Sequence, residues 1–113
     1  MRIDRTGITR TVILIRSWAI KVPTLRYGWR MFLSGLLANL QERQWWGWWP
    51  NNPRLCPVLR SSRLGFWLVM ARTEDIEEHE MPPRGEYLDL PLDYKADNFG
   101  RIDGRIVLRD YGS

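Results

Sequence analysis

One hundred and thirteen residues suffice for one hydrophobic core but not two, and a hydrophobic fraction of 44% with 7 Trp, 4 Tyr and 3 Phe excludes a chain too polar to fold. A single cysteine, Cys56, excludes an internal disulfide framework and an all-cysteine zinc site, so a reducing cytoplasm is the expected setting. The net charge of +4 is unevenly divided: residues 1–72 carry 12 Lys or Arg against Asp4 and Glu42, a balance of +10, and residues 73–113 carry 5 against 11 acids, a balance of −6. Two such halves attract each other within one domain. A basic half also attracts nucleotide phosphates, nucleic acid or an acidic protein. One domain over 1–113 is expected, with a basic part at 1–72 and an acidic part at 73–113.

The stretch "ITRTVILIRSWAIKV", residues 8–22, is rich in β-branched residues and interrupted at Arg16 and Ser17, which predicts two strands with a tight connection and Lys21 in the second. Beyond Pro23, Leu25, Trp29, Leu33, Leu36 and Leu40 recur at spacings of four, four, three and four. This pattern predicts a helix from about Leu25 to about Gln44 whose apolar stripe packs on the sheet. Gly47, Pro50 and Pro53 end it and leave Trp45, Trp46, Trp48 and Trp49 on a loop, where some cap the core and others offer an anchor to a protein partner.

"LCPVLRSS" and "GFWLVMAR" flank a turn at 63–65 and predict an antiparallel hairpin whose second strand is central. "TEDIEEHE" predicts a short acidic helix with His79 on a solvated face, and "NFGRIDGRIVL" a hairpin turning at Asp103-Gly104. No apolar run nears the roughly 20 residues of a spanning helix, and neither a membrane segment nor a secretory signal is expected.

Candidate chemistry concentrates at the C-terminus. Asp93, Lys95 and Asn98 precede the hairpin, and Asp110-Tyr111-Gly112 follows it. Phosphoryl transfer needs a carboxylate to orient the attacking hydroxyl, oxygen ligands for magnesium and a cation for the γ-phosphate. A hairpin between Asn98 and Asp110 returns the second aspartate beside the asparagine.

In this order the segment resembles the catalytic and magnesium-binding segment of the protein-kinase superfamily: "DYKADN" stands where kinases carry Asp-Leu-Lys-Pro-x-Asn, and "DYG" where they carry Asp-Phe-Gly. "WAIKV" at 18–22 is similar to the kinase strand whose lysine holds the α- and β-phosphates, which points to Lys21. Glu42, the sole acid of the following helix, is then its partner. "FWLVMAR" is similar to the hinge strand, implying adenine binding along Val69, Met70 and Ala71. Departures accompany the likeness. Gly7 is the only glycine before Lys21, Pro91 and Leu92 replace His and Arg, Glu42 comes late in the helix, and no activation segment or large helical lobe follows. The ending is also similar to that of small proteins of tailed bacteriophages.

The expected fold is therefore α+β: a small antiparallel sheet packed on one long helix, as in a kinase N-lobe, with a minimal C-terminal hairpin segment. Two functions follow from the resemblance. One is a pseudokinase-type binding module, phage-encoded, that engages a host or virion protein and retains an ATP and Mg²⁺ cleft. The other is an active ATP-dependent phosphotransferase, with Asp93 as base, Lys95 on the γ-phosphate, Asn98 and Asp110 on magnesium, and Lys21 with Glu42 on the remaining phosphates. Nucleic-acid binding through the basic half is the weaker reading, because no zinc-finger, helix-turn-helix or RNA-recognition signature accompanies the charge.

Overall fold

The structure, a computed structural model, describes residues 2–4, 9–48, 52–83, 85 and 94–111. The β-branched run forms β2 (Arg10–Ile15) and β3 (Trp18–Pro23), joined at Arg16, which takes φ 53°, and Ser17. With β1 (Arg2–Asp4), β4 (Val58–Ser61) and β5 (Leu68–Ala71) they make an antiparallel sheet of order β1-β2-β3-β5-β4. The expected hairpin over 55–72 is present, and β5 lies inside the sheet between β3 and β4. β1 was not expected: three residues are too few to carry a strand pattern.

Register decides which side chains meet. Val12 opposes Lys21, Leu14 opposes Ala19, Ala19 opposes Met70 and Lys21 opposes Leu68. Directly opposed residues share a face. Arg10, two residues before Val12, alternates onto that same face, which is the one that becomes buried.

Helix α1 (Trp29–Trp48) connects β3 to β4 and departs from expectation in its bounds and in its buried side. It begins after Gly28, whose φ of 95° turns the chain out of the preceding loop and leaves Leu25 outside the helix. It runs past Gly47, so Trp45, Trp46 and Trp48 are helical rather than in a loop. An interior glycine costs about 1 kcal/mol. Trp45 and Trp46, packed against the core, offset it. The face turned to the sheet is Gly35, Ala38, Asn39 and Glu42. The leucine stripe does not pack on the sheet: Leu25, Trp29 and Leu33 are exposed, and Leu36 and Leu40 only half-buried.

The physical reason is close approach. Gly35 lies against the Thr9 carbonyl and Pro23 Cα, at a distance that admits no Cβ, while the charged residues of the sheet need Asn39 and Glu42 above them. Gly35→Ala should thus lower stability by about 1–3 kcal/mol in urea unfolding, although alanine is the better helix former by roughly 1 kcal/mol. A neutral or stabilising result would show that α1 can lift off the sheet without loss.

The C-terminal hairpin is as expected: β6 (Phe99–Ile102) and β7 (Arg105–Leu108) turn at Asp103 and Gly104, with φ 52° and 77°, the pair of positive values that a two-residue turn of this hand requires. It is stitched on both sides to the segments that precede β4 and follow β5. Cys56 N donates to Leu108 O at 2.9 Å, Leu108 N to Arg54 O at 2.7 Å, and Glu74 and Arg101 exchange backbone bonds of 2.9 and 2.8 Å. Leu55, Cys56, Leu68, Met70, Phe99, Val107, Leu108 and Tyr111 form the core between sheet and hairpin. The expected acidic helix is only one 3₁₀ turn, Glu78–Glu80, since a segment this short, stopped by Pro82 and Pro83, cannot recover the cost of helix nucleation. His79 is exposed, as expected. No helix among the described residues is long and apolar enough to cross a membrane.

Candidate functional site

Lys21 projects from the middle of β3 toward α1, two turns from that helix's end, and meets Glu42. Its Nζ donates to Glu42 Oε1 at 3.0 Å and Oε2 at 3.1 Å, and to the Arg109 carbonyl at 2.6 Å. An ammonium has three donors. All three are engaged. Arg10 reaches the same carboxylate from β2, with Nη1 donating to Oε1 at 2.5 Å and Nη2 to Oε2 at 3.3 Å. The Arg10 guanidinium also donates to Asn39 Oδ1 at 3.1 Å and to Asp110 Oδ1 at 2.8 Å. Asn39 spends its own amide on Lys21 O and Gly65 O, and Tyr111 N completes the shell of Glu42 at 2.8 Å.

Two cations and two carboxylates thus balance within one network. Arg10, Lys21, Asn39 and Glu42 are buried in it, while Asp110 keeps one edge exposed. Among the described residues no buried side-chain polar atom lacks a partner. Burial alone would raise the Glu42 carboxyl, but the Arg10 and Lys21 charges outweigh it and hold the group at about 2. Burial pulls the Arg10 guanidinium down; Glu42 and then Asp110 reverse that and leave it raised. For Lys21 burial prevails over the attraction of Glu42, and the ammonium is lowered from its ordinary value.

Beside the network a cleft of about 630 Å³ opens between sheet and hairpin. Val12, Leu14, Ala19 and Met70 supply an apolar wall; Lys95, Asp97, Asn98, Arg109 and Asp110 supply the opposite, polar one. Of the residues singled out in the sequence, Lys21, Met70, Ala71, Lys95, Asn98 and Asp110 line this one cleft, with Glu42 directly behind Lys21. The hairpin returns Asp110 to Asn98, whose carbonyl accepts from Arg109 N at 2.8 Å and Asp110 N at 3.3 Å. Val69 and Ala71 fall on the face of β5 opposite Met70, so of the three only Met70 turns its side chain toward the cleft, and the backbone of 69–71 is shared between the ladders to β3 and β4. Asp93 and Trp49 lie outside the described residues. Trp45 and Trp46 are half-buried on the core and Trp48 is exposed, so the expected aromatic anchor is divided.

Arg10 and Asn39 were missed. Both carry a signal in hindsight: once the turn is set at 16–17, Arg10 falls in phase with Val12 and Leu14 on the buried face, and Asn39 sits one turn before Glu42. Arg10 also decides how the residues suit magnesium. Its guanidinium occupies Asp110 Oδ1, and no group of three His, Cys, Asp or Glu among the described residues could hold a metal ion. Cys56 also borders the cleft, and burial pushes its thiol up to about 11, which keeps it protonated and unreactive. No protein-family model, curated protein or solved structure matches this chain.

Proposed function

We propose that the chain is a kinase-like, non-catalytic binding module. The succession of strand lysine, helix glutamate, inner strand and C-terminal Asn–hairpin–Asp supports the kinase-like part. The observation that carries the non-catalytic part is the Arg10 guanidinium, 2.8 Å from Asp110 and 2.5 Å from Glu42: a resident cation stands where a divalent ion would have to reach the aspartate. Lys21, with every donor engaged, would have to break buried bonds to hold a phosphate. The likeness to tailed-phage proteins makes a host or virion protein the partner.

A second reading, the ATP-dependent phosphotransferase, is favoured by the convergence of Lys21, Lys95, Asn98 and Asp110 on one cleft of nucleotide size. In that reading ATP would lie along Met70 and Ala71 with its phosphates toward Lys21 and Lys95, and Asp93 would orient the acceptor. Calorimetric titration of the full chain with ATP, with and without Mg²⁺, separates the two. No magnesium-dependent binding at millimolar ATP is expected. Magnesium-dependent binding that Asp110→Asn abolishes would overturn the non-catalytic reading in favour of the enzyme.

A further inference from the structure

The face of α1 turned away from the sheet carries Trp29, Leu33 and Leu37, which are 72%, 52% and 63% exposed. Spaced every four residues, they form a straight ridge roughly 12 Å long. Alongside it the β4–β5 turn raises Leu64 and Phe66, both exposed, and Gly65 brings that turn into contact with α1 at Leu36 and Leu40. Phe32 links the two sides, with its ring 5.7 Å from Trp29 and 6.4 Å from Phe66. The half-buried Leu36 and Leu40 are then the floor of a shallow groove between ridge and turn. Exposed apolar surface of this continuity on a small chain marks a contact surface.

The rim indicates what fills the groove. Arg30 borders the ridge on the Leu37 side, Arg43 on the Leu36 side and Arg63 beyond Leu64, all exposed, and the only acid of α1, Glu42, is buried beneath. A second copy meeting this face through a two-fold axis would set arginine rim against arginine rim. A ridge at four-residue spacing fits the grooves of another helix, and a basic rim selects carboxylates on its flanks. We infer that the outward face of α1 docks an amphipathic helix with acidic flanks from another protein. This rests on the binding-module reading and names the partner's chemistry.

The test is fluorescence anisotropy of the full chain with a labelled synthetic amphipathic peptide of about 18 residues, long enough to turn helical on binding. It carries leucines at i, i+3, i+4 and i+7 and glutamates on both flanks, and a twin carries lysines in place of the glutamates. The glutamate peptide should bind at least about tenfold more tightly than its twin and weaken as salt screens the rim. Leu37→Asp and Arg30→Glu, both surface changes that should leave the melting temperature unchanged, should each abolish that preference. Equal binding of the twins, binding of neither, adsorption to phosphatidylglycerol vesicles in place of peptide, or self-association that Leu37→Asp dissolves would each overturn the inference. Asp110→Asn should leave peptide binding intact. A magnesium-dependent ATP titration alongside intact peptide binding would therefore sink only the non-catalytic reading.

Discussion

Glu42→Gln should cost the fold about 3–5 kcal/mol, the penalty for removing one partner of a buried ion pair and leaving the other uncompensated. Here the uncompensated partners are two: Arg10 and Lys21 both lean on this carboxylate, and neither can retreat to water. Small domains have in total about 5–15 kcal/mol of stability, so the variant should be largely unfolded at mild urea concentrations that wild type tolerates. If Glu42→Gln melts like wild type, the network does not hold the fold together.

The same carboxylate sets an acid limit. Its folded value is about 2 against an ordinary 4.5, so the folded state binds this proton less readily than the unfolded chain. The stabilisation is thus fully present above the unfolded value and is lost as pH falls from about 5 toward 2, on the order of 3 kcal/mol in all. Urea midpoints measured across that window should fall steeply for wild type and much less for Glu42→Gln. A wild-type curve as flat as the variant's would mean that the proton is taken up elsewhere.

What could be read in the sequence was whatever depends on near neighbours in the chain. The run of β-branched residues with a break at Arg16-Ser17 is a local signal, as is Asp103-Gly104, and both produced the expected strands and turns. The hairpin also implied the return of Asp110 to Asn98, since strand pairing transmits position along the ladder. The buried side of α1 was illegible for the opposite reason. Its sheet-facing residues are a glycine, an alanine, an asparagine and a glutamate, chosen for close approach and for charge compensation, so apolar periodicity reported the outward face. Arg10 was lost the same way. Nothing near it in the chain says that its partners are 29, 32 and 100 residues away.

Tyr111→Ala should be as damaging as the loss of Glu42, about 3–5 kcal/mol, because the ring is fully buried among Leu55, Phe99 and Leu108 and its removal leaves a cavity that the surrounding strands cannot close. The phenol also donates to Cys56 O at 2.9 Å, so Tyr111→Phe should cost about 1 kcal/mol and keep the packing. The site depends on this anchor. Three successive residues are tied to the network: Arg109 through the carbonyl that Lys21 holds, Asp110 through Arg10, and Tyr111 through the amide that Glu42 accepts. Only the last of the three is driven into place by burial, and it is this ring that presents Asp110 to the cleft. Urea unfolding and hydrogen exchange at the 109–111 amides measure both effects. Tyr111→Phe should keep those amides protected, whereas Tyr111→Ala should lose protection there first. If protection survives in Tyr111→Ala, the ion pairs alone fasten the segment and the ring is a passenger.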